Sequence, residues 1–215
     1  MEWLPSLLAA NPLDFEAGLN RIEQANLNQV HLDIMDGHFV PNISFGPAVV
    51  KMVAQKHPNL FRDVHLMLSK PEDFIQKFID VGAQRIFIHI EIAPQSLEKS
   101  LEILSQNKIL WGLAINPETS IATLEKYKNL FPNIDRLLVM SVHPGFSGQS
   151  FIKGTFQRIK DLKNLYPTVS LCLDGGINKL LAEELIPFGV NNFVVGASFY
   201  EEQIPTGCSR TAFQS

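Results

Sequence analysis

Two hydrophobic patterns alternate along this chain. Short apolar runs rich in branched residues are separated by longer stretches in which apolar residues recur every three or four positions. The short runs predict strands over residues 3–8, 29–34, 62–68, 85–90, 109–115, 135–141, 168–173 and 192–196, because a buried parallel strand reads as a nearly continuous apolar run. Between them "PLDFEAGLNRIEQAN", "PEDFIQKFIDVG", "SLEKSLEILSQN" and "FIKGTFQRIKDLKNLY" carry the helical period. Pro71, Pro94 and Pro117 stand close to helix starts, where a missing N–H costs nothing. The glycines of "VGA" (81–83) and "FGV" (188–190) end a helix before the next strand. Eight strands and about seven helices in alternation predict βαβ units and a parallel sheet.

No Pro/Ser-rich or low-complexity segment divides the chain, which predicts one domain. A closed (β/α)8 barrel and an open doubly wound sheet both satisfy this pattern. The first strand–helix junction lacks the Gly-x-Gly-x-x-Gly fingerprint of a dinucleotide-binding sheet. Polar residues gather instead at the carboxyl ends of several strands, where barrel enzymes keep their chemistry.

Composition narrows the function classes. A chain of 215 residues with 46% hydrophobic and 19% charged positions has ample material for a core. Its formal net charge of -4 supplies no electrostatic footprint for nucleic acid or an anionic membrane. Two cysteines, Cys172 and Cys208, make neither a disulfide framework nor a zinc-finger spacing, so a reducing compartment is expected. "MEWLPSLLAANPLDF" has no basic leader and is interrupted by Pro5 and Asn11, so it reads as a first strand and not a signal peptide. No apolar run approaches the ~20 residues of a membrane helix. A cytoplasmic protein without membrane or nucleic-acid partners is expected.

The chemistry begins at "VHLDIMDGHFVPN" (30–42), an apolar run that contains His31, Asp33, Asp36 and His38. Alternation along a strand puts His31, Asp33 and Met35 on one face and Leu32, Ile34 and Asp36 on the other. The apolar set suits a helix-covered face, which turns His31 and Asp33 inward. Asp36-Gly37 begins a turn, and His38 belongs to the following loop. In "DVHLML", His65 and Met67 share a face opposite Val64, Leu66 and Leu68; in "SLCLDGGIN", Asp174 ends a strand. Taken singly, these are a structural ion pair, a core histidine and an Asp-Gly turn. Taken together, His31, Asp33, His65 and Asp174 form a mixed nitrogen and oxygen set from three strand ends, suited to Zn²⁺, Mn²⁺, Fe²⁺ or Co²⁺ more than to Ca²⁺ or Mg²⁺. "HPGFSGQ" (143–149), "DGG" (174–176) and "VVGAS" (194–198) each suit a tight turn. Grouped after the last three strands, they suit a phosphate held by backbone N–H groups.

Six segments, "PSLLAA" (5–10), "HLDIMDGHFVPN" (31–42), "HLML" (65–68), "SVHPGFSGQSF" (141–151), "LDGGIN" (173–178) and "VVGAS" (194–198), give the sequence its resemblance to the ribulose-phosphate 3-epimerase family. They follow the family's order across nearly the whole chain. The resemblance implies a single-domain (β/α)8 barrel and a pentose phosphate pathway activity, the interconversion of D-ribulose 5-phosphate and D-xylulose 5-phosphate. It implies one divalent metal ion on His31, Asp33, His65 and Asp174, with Asp33 and Asp174 also the paired acid and base. It implies a phosphorylated ketose contacted by Ser6, His65 and Asp174, its phosphate held by Gly145, Phe146, Ser147, Gly148, Gly175, Gly176, Gly196 and Ala197. Met35, Met67 and Met140 would line the reacting carbon, although core packing is the ordinary use of methionine. Family members assemble as dimers or hexamers, so a homo-oligomer is expected.

Two departures accompany the resemblance. "AANP" (9–12) stands where the family usually has a serine-rich "SADF". After "VVGASFY" the chain reads "EEQIPTGCSRTAFQS", in which Pro205 and Gly207 oppose a regular final helix. Residues 1–200 are therefore read as the barrel and 201–215 as an irregular tail, with an atypical or truncated last helix that leaves the outer faces of the eighth and first strands short of cover. A ketohexose 6-phosphate epimerase, for instance of allulose 6-phosphate, would share every ligand. Barrels that decarboxylate orotidine phosphate or make hexulose phosphate use Asp-x-Lys-x-x-Asp, which Asp33-Ile-Met-Asp36 does not match. A catalytically silent binding barrel is the alternative outside enzymology.

Overall fold

The computed structural model describes residues 1–201. Eight parallel strands run β1 (Glu2–Pro5), β2 (Gln29–Met35), β3 (Phe61–Met67), β4 (Arg85–His89), β5 (Leu110–Ile115), β6 (Leu137–Met140), β7 (Leu171–Asp174) and β8 (Asn192–Val195). Their order is β1-β8-β7-β6-β5-β4-β3-β2. A single parallel bridge between Ser6 and His31 joins β1 to β2 and closes the ring. Of the two architectures the pattern allowed, the structure adopts the barrel.

The helices follow local signals. Asp14 caps α1 (Phe15–Gln24) by accepting from the Ala17 N–H, and Asn178 caps α6 (Lys179–Leu185) through Leu181. Prolines open α2 (Pro47–Lys56) and α4 (Pro94–Gln106) at the first helical position. Gly82 and Gly189 take positive φ after α3 (Ile75–Asp80) and after the 3₁₀ turn that extends α6. The remaining helices are α5 (Thr155–Leu165) and α7 (Ala197–Tyr200).

Several expected elements differ in detail: the strand expected over 168–173 runs Leu171–Asp174, and Pro71 opens a 3₁₀ turn (Pro71–Asp73) ahead of α3. The first strand stops at Pro5, and Leu7–Ala9 form a 3₁₀ turn. Its partner β8 ends at Val195, whose carbonyl accepts the Ser6 N–H, and past that point the Ala9 and Ala10 N–H groups turn back on the Ser6 and Leu7 carbonyls. Pro117 lies in a turn closed by the Thr119 N–H on the Asn116 carbonyl, before a 3₁₀ run over Ile121–Leu130. Residues 151–154 are loop ahead of α5, with the Ile152 N–H held by the Ser141 carbonyl at 2.9 Å.

Two apolar layers hold the barrel. Outward-facing Val30, Leu32, Ile34, Val64, Leu66, Ile86 and Ile88 pack beneath the helices. Leu4, Phe87, Ala114, Leu138, Met140, Cys172 and Val194 form a separate cluster inside. Gly112 sits beside Phe87 in the register, and a Cβ there would lie 2.3 Å from the Arg136 carbonyl oxygen and 2.5 Å from the Phe87 ring. Phe87 fills space that any larger residue at position 112 would claim. Toward the amino ends of the strands lies a charged floor, in which Arg85 pairs with Asp63 (3.1 Å) and Asp135 (2.8 Å) and Arg136 pairs with Asp135 (2.6 Å) and Glu2 (3.3 Å).

On the outer face of β8, Phe193 and Val195 are buried, with Trp3 against Phe193 at 5.6 Å between ring centres. α7 is a single turn, tied to α1 by Arg21 donating to the Tyr200 carbonyl at 2.8 Å. The irregular tail and the uncovered face expected from it rest on residues 202–215, which lie outside the described residues. Among the described residues, no helix is long and apolar enough to cross a membrane.

Candidate active site at the carboxyl ends of the strands

The barrel register brings the four chemically marked residues together. Asp33 on β2 stands opposite His65 on β3, His31 is bridged to Ser6 after β1, and Asp174 ends β7 opposite Met140 of β6. One donor atom from each of His31, Asp33, His65 and Asp174 falls within 4.8 Å of all the others. Asp33 Oδ1 lies 3.1 Å from His65 Nδ1 and 3.3 Å from His31 Nε2; Asp174 Oδ2 lies 3.5 and 3.6 Å from the same nitrogens. Donors that share one ion at about 2.0–2.2 Å each are spaced in this way.

The surroundings fix how each donor presents itself. His31 is fully buried, and its Nδ1 donates to Asp63 Oδ2 at 2.6 Å. That bond leaves Nε2, a buried nitrogen without a hydrogen-bond partner, aimed between Asp33 and Asp174. A ligating histidine ordinarily has its second nitrogen hydrogen-bonded in this fashion. Ser6 Oγ donates to Asp33 Oδ2 at 2.5 Å, which turns Oδ1 toward the two imidazoles. His65 Nε2 meets His89 Nε2 at 2.9 Å, and His89 Nδ1 meets Glu91 Oε2 at 3.0 Å.

The charges agree with this geometry. Burial opposes ionisation of Asp33, yet His31 and His65 outweigh it and hold the carboxyl far below the usual range. Burial also opposes charge on His31, but Asp33 and Asp63 push its value well above that of free histidine; Asp174 and Asp33 raise His65 against the same opposition. The carboxylates that favour positive charge on these rings would equally attract a divalent cation. Burial dominates at His89, where Glu91 only partly compensates, and its value falls to about 4. His89 is therefore neutral near pH 7, able to accept at one nitrogen and donate at the other. Donor type, spacing and the unpartnered His31 nitrogen all fit one divalent metal.

Above the cluster lies a cavity that every other expected contact residue lines: Ser6, Met35, Met67, Met140, Gly145, Phe146, Ser147, Gly148, Gly175, Gly176, Gly196 and Ala197. His31 and His65 lie beneath its floor, fully buried. The three methionines are buried at the same mouth, Met35 and Met67 packing with Val40. Gly175 and Gly176 are required as glycines. Both have positive φ, and a Cβ would meet Val142 Cγ2 at 2.3 Å from the first and the Phe151 nitrogen at 2.5 Å from the second. Ser141, whose Oγ lies 2.7 Å from the Gly175 carbonyl, and Ser198 Oγ, which donates to Ile177 O at 2.6 Å, fix the same segment.

Asp36 shapes the turn as expected. Its Oδ1 accepts the N–H groups of His38 and Phe39, and its Oδ2 accepts from the Ser69 N–H and hydroxyl. These bonds outweigh the effect of burial and lower its value to about 2. His38 is exposed in the loop, while Asn42 reaches across to donate to the Gly145 carbonyl at 2.6 Å.

Sequence reasoning passed over Asp63, His89 and Glu91. The signal was present, because Asp63 has the parity of His65, and Arg85, Phe87, His89 and Glu91 alternate with Ile86, Ile88 and Ile90. What hid it was the strongly apolar character of "RIFIHI", which reads as plain core.

A closed parallel barrel with a buried two-histidine, two-carboxylate cluster under a glycine-walled cavity defines a (β/α)8-barrel enzyme. Similar folds include a 3-hexulose-6-phosphate synthase from Salmonella typhimurium, which matches with a TM-score of 0.74 at 12% identity over 96% of this chain and 94% of that one. A likeness at that identity speaks for the fold alone. Residues 3–200 match the model of the ribulose-phosphate 3 epimerase family. The ribulose-phosphate 3-epimerase of Chlamydia trachomatis is 36% identical, covering 92% of this chain and 85% of its own, and that of Bacillus subtilis is 33% identical, covering 91% and 90%. The chain belongs to the ribulose-phosphate 3 epimerase family and is an isomerase.

Proposed function

We propose that this enzyme interconverts D-ribulose 5-phosphate and D-xylulose 5-phosphate by moving a proton at C3. One observation carries the reading: Asp33 and Asp174, on strands from opposite sides of the closure, both reach the floor of one cavity and both lie against His31 and His65. Inversion at a carbon next to a carbonyl needs one group to remove a proton and a second to deliver one to the other face. Asp33 and Asp174 fill these roles and exchange them with the direction of reaction. Ser6 holds the unshared oxygen of Asp33, so its carboxylate is oriented before substrate arrives. Buried Met35, Met67 and Met140 exclude water from the reacting carbon without offering it a competing proton. Gly175, Gly176, Gly196 and Ala197, with the loop from Gly145 to Gly148, receive the phosphate through backbone N–H groups.

His31, Asp33, His65 and Asp174 would hold one divalent ion, Zn²⁺, Fe²⁺, Mn²⁺ or Co²⁺, which would supply Lewis-acid stabilisation for the negative charge that develops as the proton leaves C3. In D₂O, metal-loaded protein given ribulose 5-phosphate should yield xylulose 5-phosphate carrying deuterium at C3. Asp33→Asn and Asp174→Asn should each lower that rate by roughly 10²–10⁴ or more, the range of a single positioned acid–base group. Exchange with allulose 6-phosphate but not with the pentulose would replace the substrate. No exchange with either ketose phosphate would overturn the reading.

A further inference from the structure

The hydrogen bonds behind His65 form a directed chain that extends well past the metal-ligand set. His65 Nε2 and His89 Nε2 are 2.9 Å apart although the ring centres are 5.0 Å apart with 25° between planes, so the rings meet nitrogen to nitrogen. His89 Nδ1 faces Glu91 Oε2 at 3.0 Å, and the other Glu91 oxygen accepts the Asn116 N–H at 2.7 Å. Arg158 in turn donates to the carbonyls of Asn116, Pro117 and Thr119, which locks that backbone segment in place. Phe39 of the β2–α2 loop packs on His89, with ring centres 4.7 Å apart. Both imidazoles are fully buried, so water cannot substitute for either partner.

The direction of the chain follows from its last member. A carboxylate only accepts, and Glu91 spends one oxygen on the Asn116 N–H and the other on His89, so His89 carries its proton on Nδ1. His89 Nε2 is then an acceptor, and His65 must carry its proton on Nε2. That leaves the lone pair of His65 on Nδ1, the atom facing Asp33 and Asp174. Without the chain, His65 gains more by placing its proton on Nδ1, where Asp33 Oδ1 waits at 3.1 Å, and that tautomer cannot ligate a metal.

We propose that His89 and Glu91 are positioning residues that set the tautomer of His65 and so determine the affinity of the four-residue site for its metal. The inference rests on the metal site proposed above. Glu91→Gln keeps the volume, but an amide cannot accept from both the Asn116 N–H and His89. With its oxygen on Asn116 it presents a donor to His89 and reverses every proton along the chain. His89→Leu removes the acceptor altogether, whereas His89→Gln restores an acceptor in the same place.

The test is Co²⁺ binding to purified protein, read by competition against a chelator and by the visible d–d spectrum, with no substrate present. Glu91→Gln and His89→Leu should each weaken Co²⁺ binding by about 10–100-fold and alter the spectrum. His89→Gln should recover most of the lost affinity. In ¹⁵N spectra of the metal-free protein, recorded at alkaline pH where the His65 ring is neutral, His65 should carry its proton on Nε2 in wild type and on Nδ1 in Glu91→Gln, a readout that does not depend on how well His89→Leu folds. Wild-type affinity and spectrum in both Glu91→Gln and His89→Leu would overturn the inference while leaving the metal site intact. Failure of the wild-type protein to bind Co²⁺ would instead remove the site on which it rests.

Discussion

Asp63 is fully buried beneath the active site, and replacing it by asparagine tests how much of the site is held from below. Its Oδ2 accepts from His31 Nδ1 at 2.6 Å and its Oδ1 from Arg85 at 3.1 Å. An asparagine of equal size serves one of these donors and turns its own N–H₂ on the other. Breaking a buried charge pair costs roughly 3–5 kcal/mol; Arg85 retains Asp135 at 2.8 Å, which places Asp63→Asn near the lower end, about 3 kcal/mol. For a domain of this size each kcal/mol lowers Tm by roughly 2–4 °C, so the loss should be about 6–12 °C.

The pH dependence has a definite sign. Burial opposes ionisation of Asp63, but His31 and Arg85 depress its value, so its stabilisation is present above the unfolded value of about 3.9 and is lost as pH falls through the folded one. The raised value of His31 works the other way, its contribution being full below about 6.5 and lost as pH rises through the folded value. The difference in Tm between wild type and variant should therefore be widest between about pH 4 and 6.5. Calorimetry of metal-free protein across that range is the assay. A Tm within about 2 °C of wild type at every pH would refute the coupling of Asp63 to His31 and Arg85.

Three further outcomes are expected. Gly112→Ala forces a methyl against the Arg136 carbonyl and the Phe87 ring and should cost about 3 kcal/mol or leave the protein insoluble, measured by urea unfolding and soluble yield. Gly176→Ala must relieve a contact with the Phe151 backbone at a positive-φ position, a strain of about 1–2 kcal/mol that should raise KM for the phosphorylated substrate about tenfold in steady-state kinetics. Asp36→Ala removes four accepted hydrogen bonds and should lower Tm at neutral pH; because the Asp36 value is about 2, the gap from wild type should close only as pH falls from about 4 toward 2.

Much of the placement of the candidate site was readable from alternation alone. In "VHLDIMD" the period of two separates Leu32 and Ile34, which lie under the helices, from His31, Asp33 and Met35, which face the mouth. The same rule applied to "RIFIHIE" would have drawn His89 and Glu91 inward, but nothing local distinguishes a histidine that hydrogen-bonds to a site residue from one that merely fills a core. That distinction lies in the 2.9 Å contact with His65, a residue 24 positions earlier. The early end of β1 at Pro5 was likewise invisible locally.

By itself the sequence determined the alternation of strands and helices, the caps and turns that bound them, and which residues share a face of each strand. These are consequences of backbone periodicity and short-range hydrogen bonding, which act within a few residues. Tertiary structure decided that the sheet closes, through the Ser6–His31 bridge, and that residues as far apart as His31 and Asp174 place their donor atoms 3.6 Å apart. It also decided the protonation of the buried groups. His31 is raised by Asp33 and Asp63, and His89 is lowered chiefly by burial. Charge interactions and desolvation depend on distance in space, and only the closed barrel sets those distances.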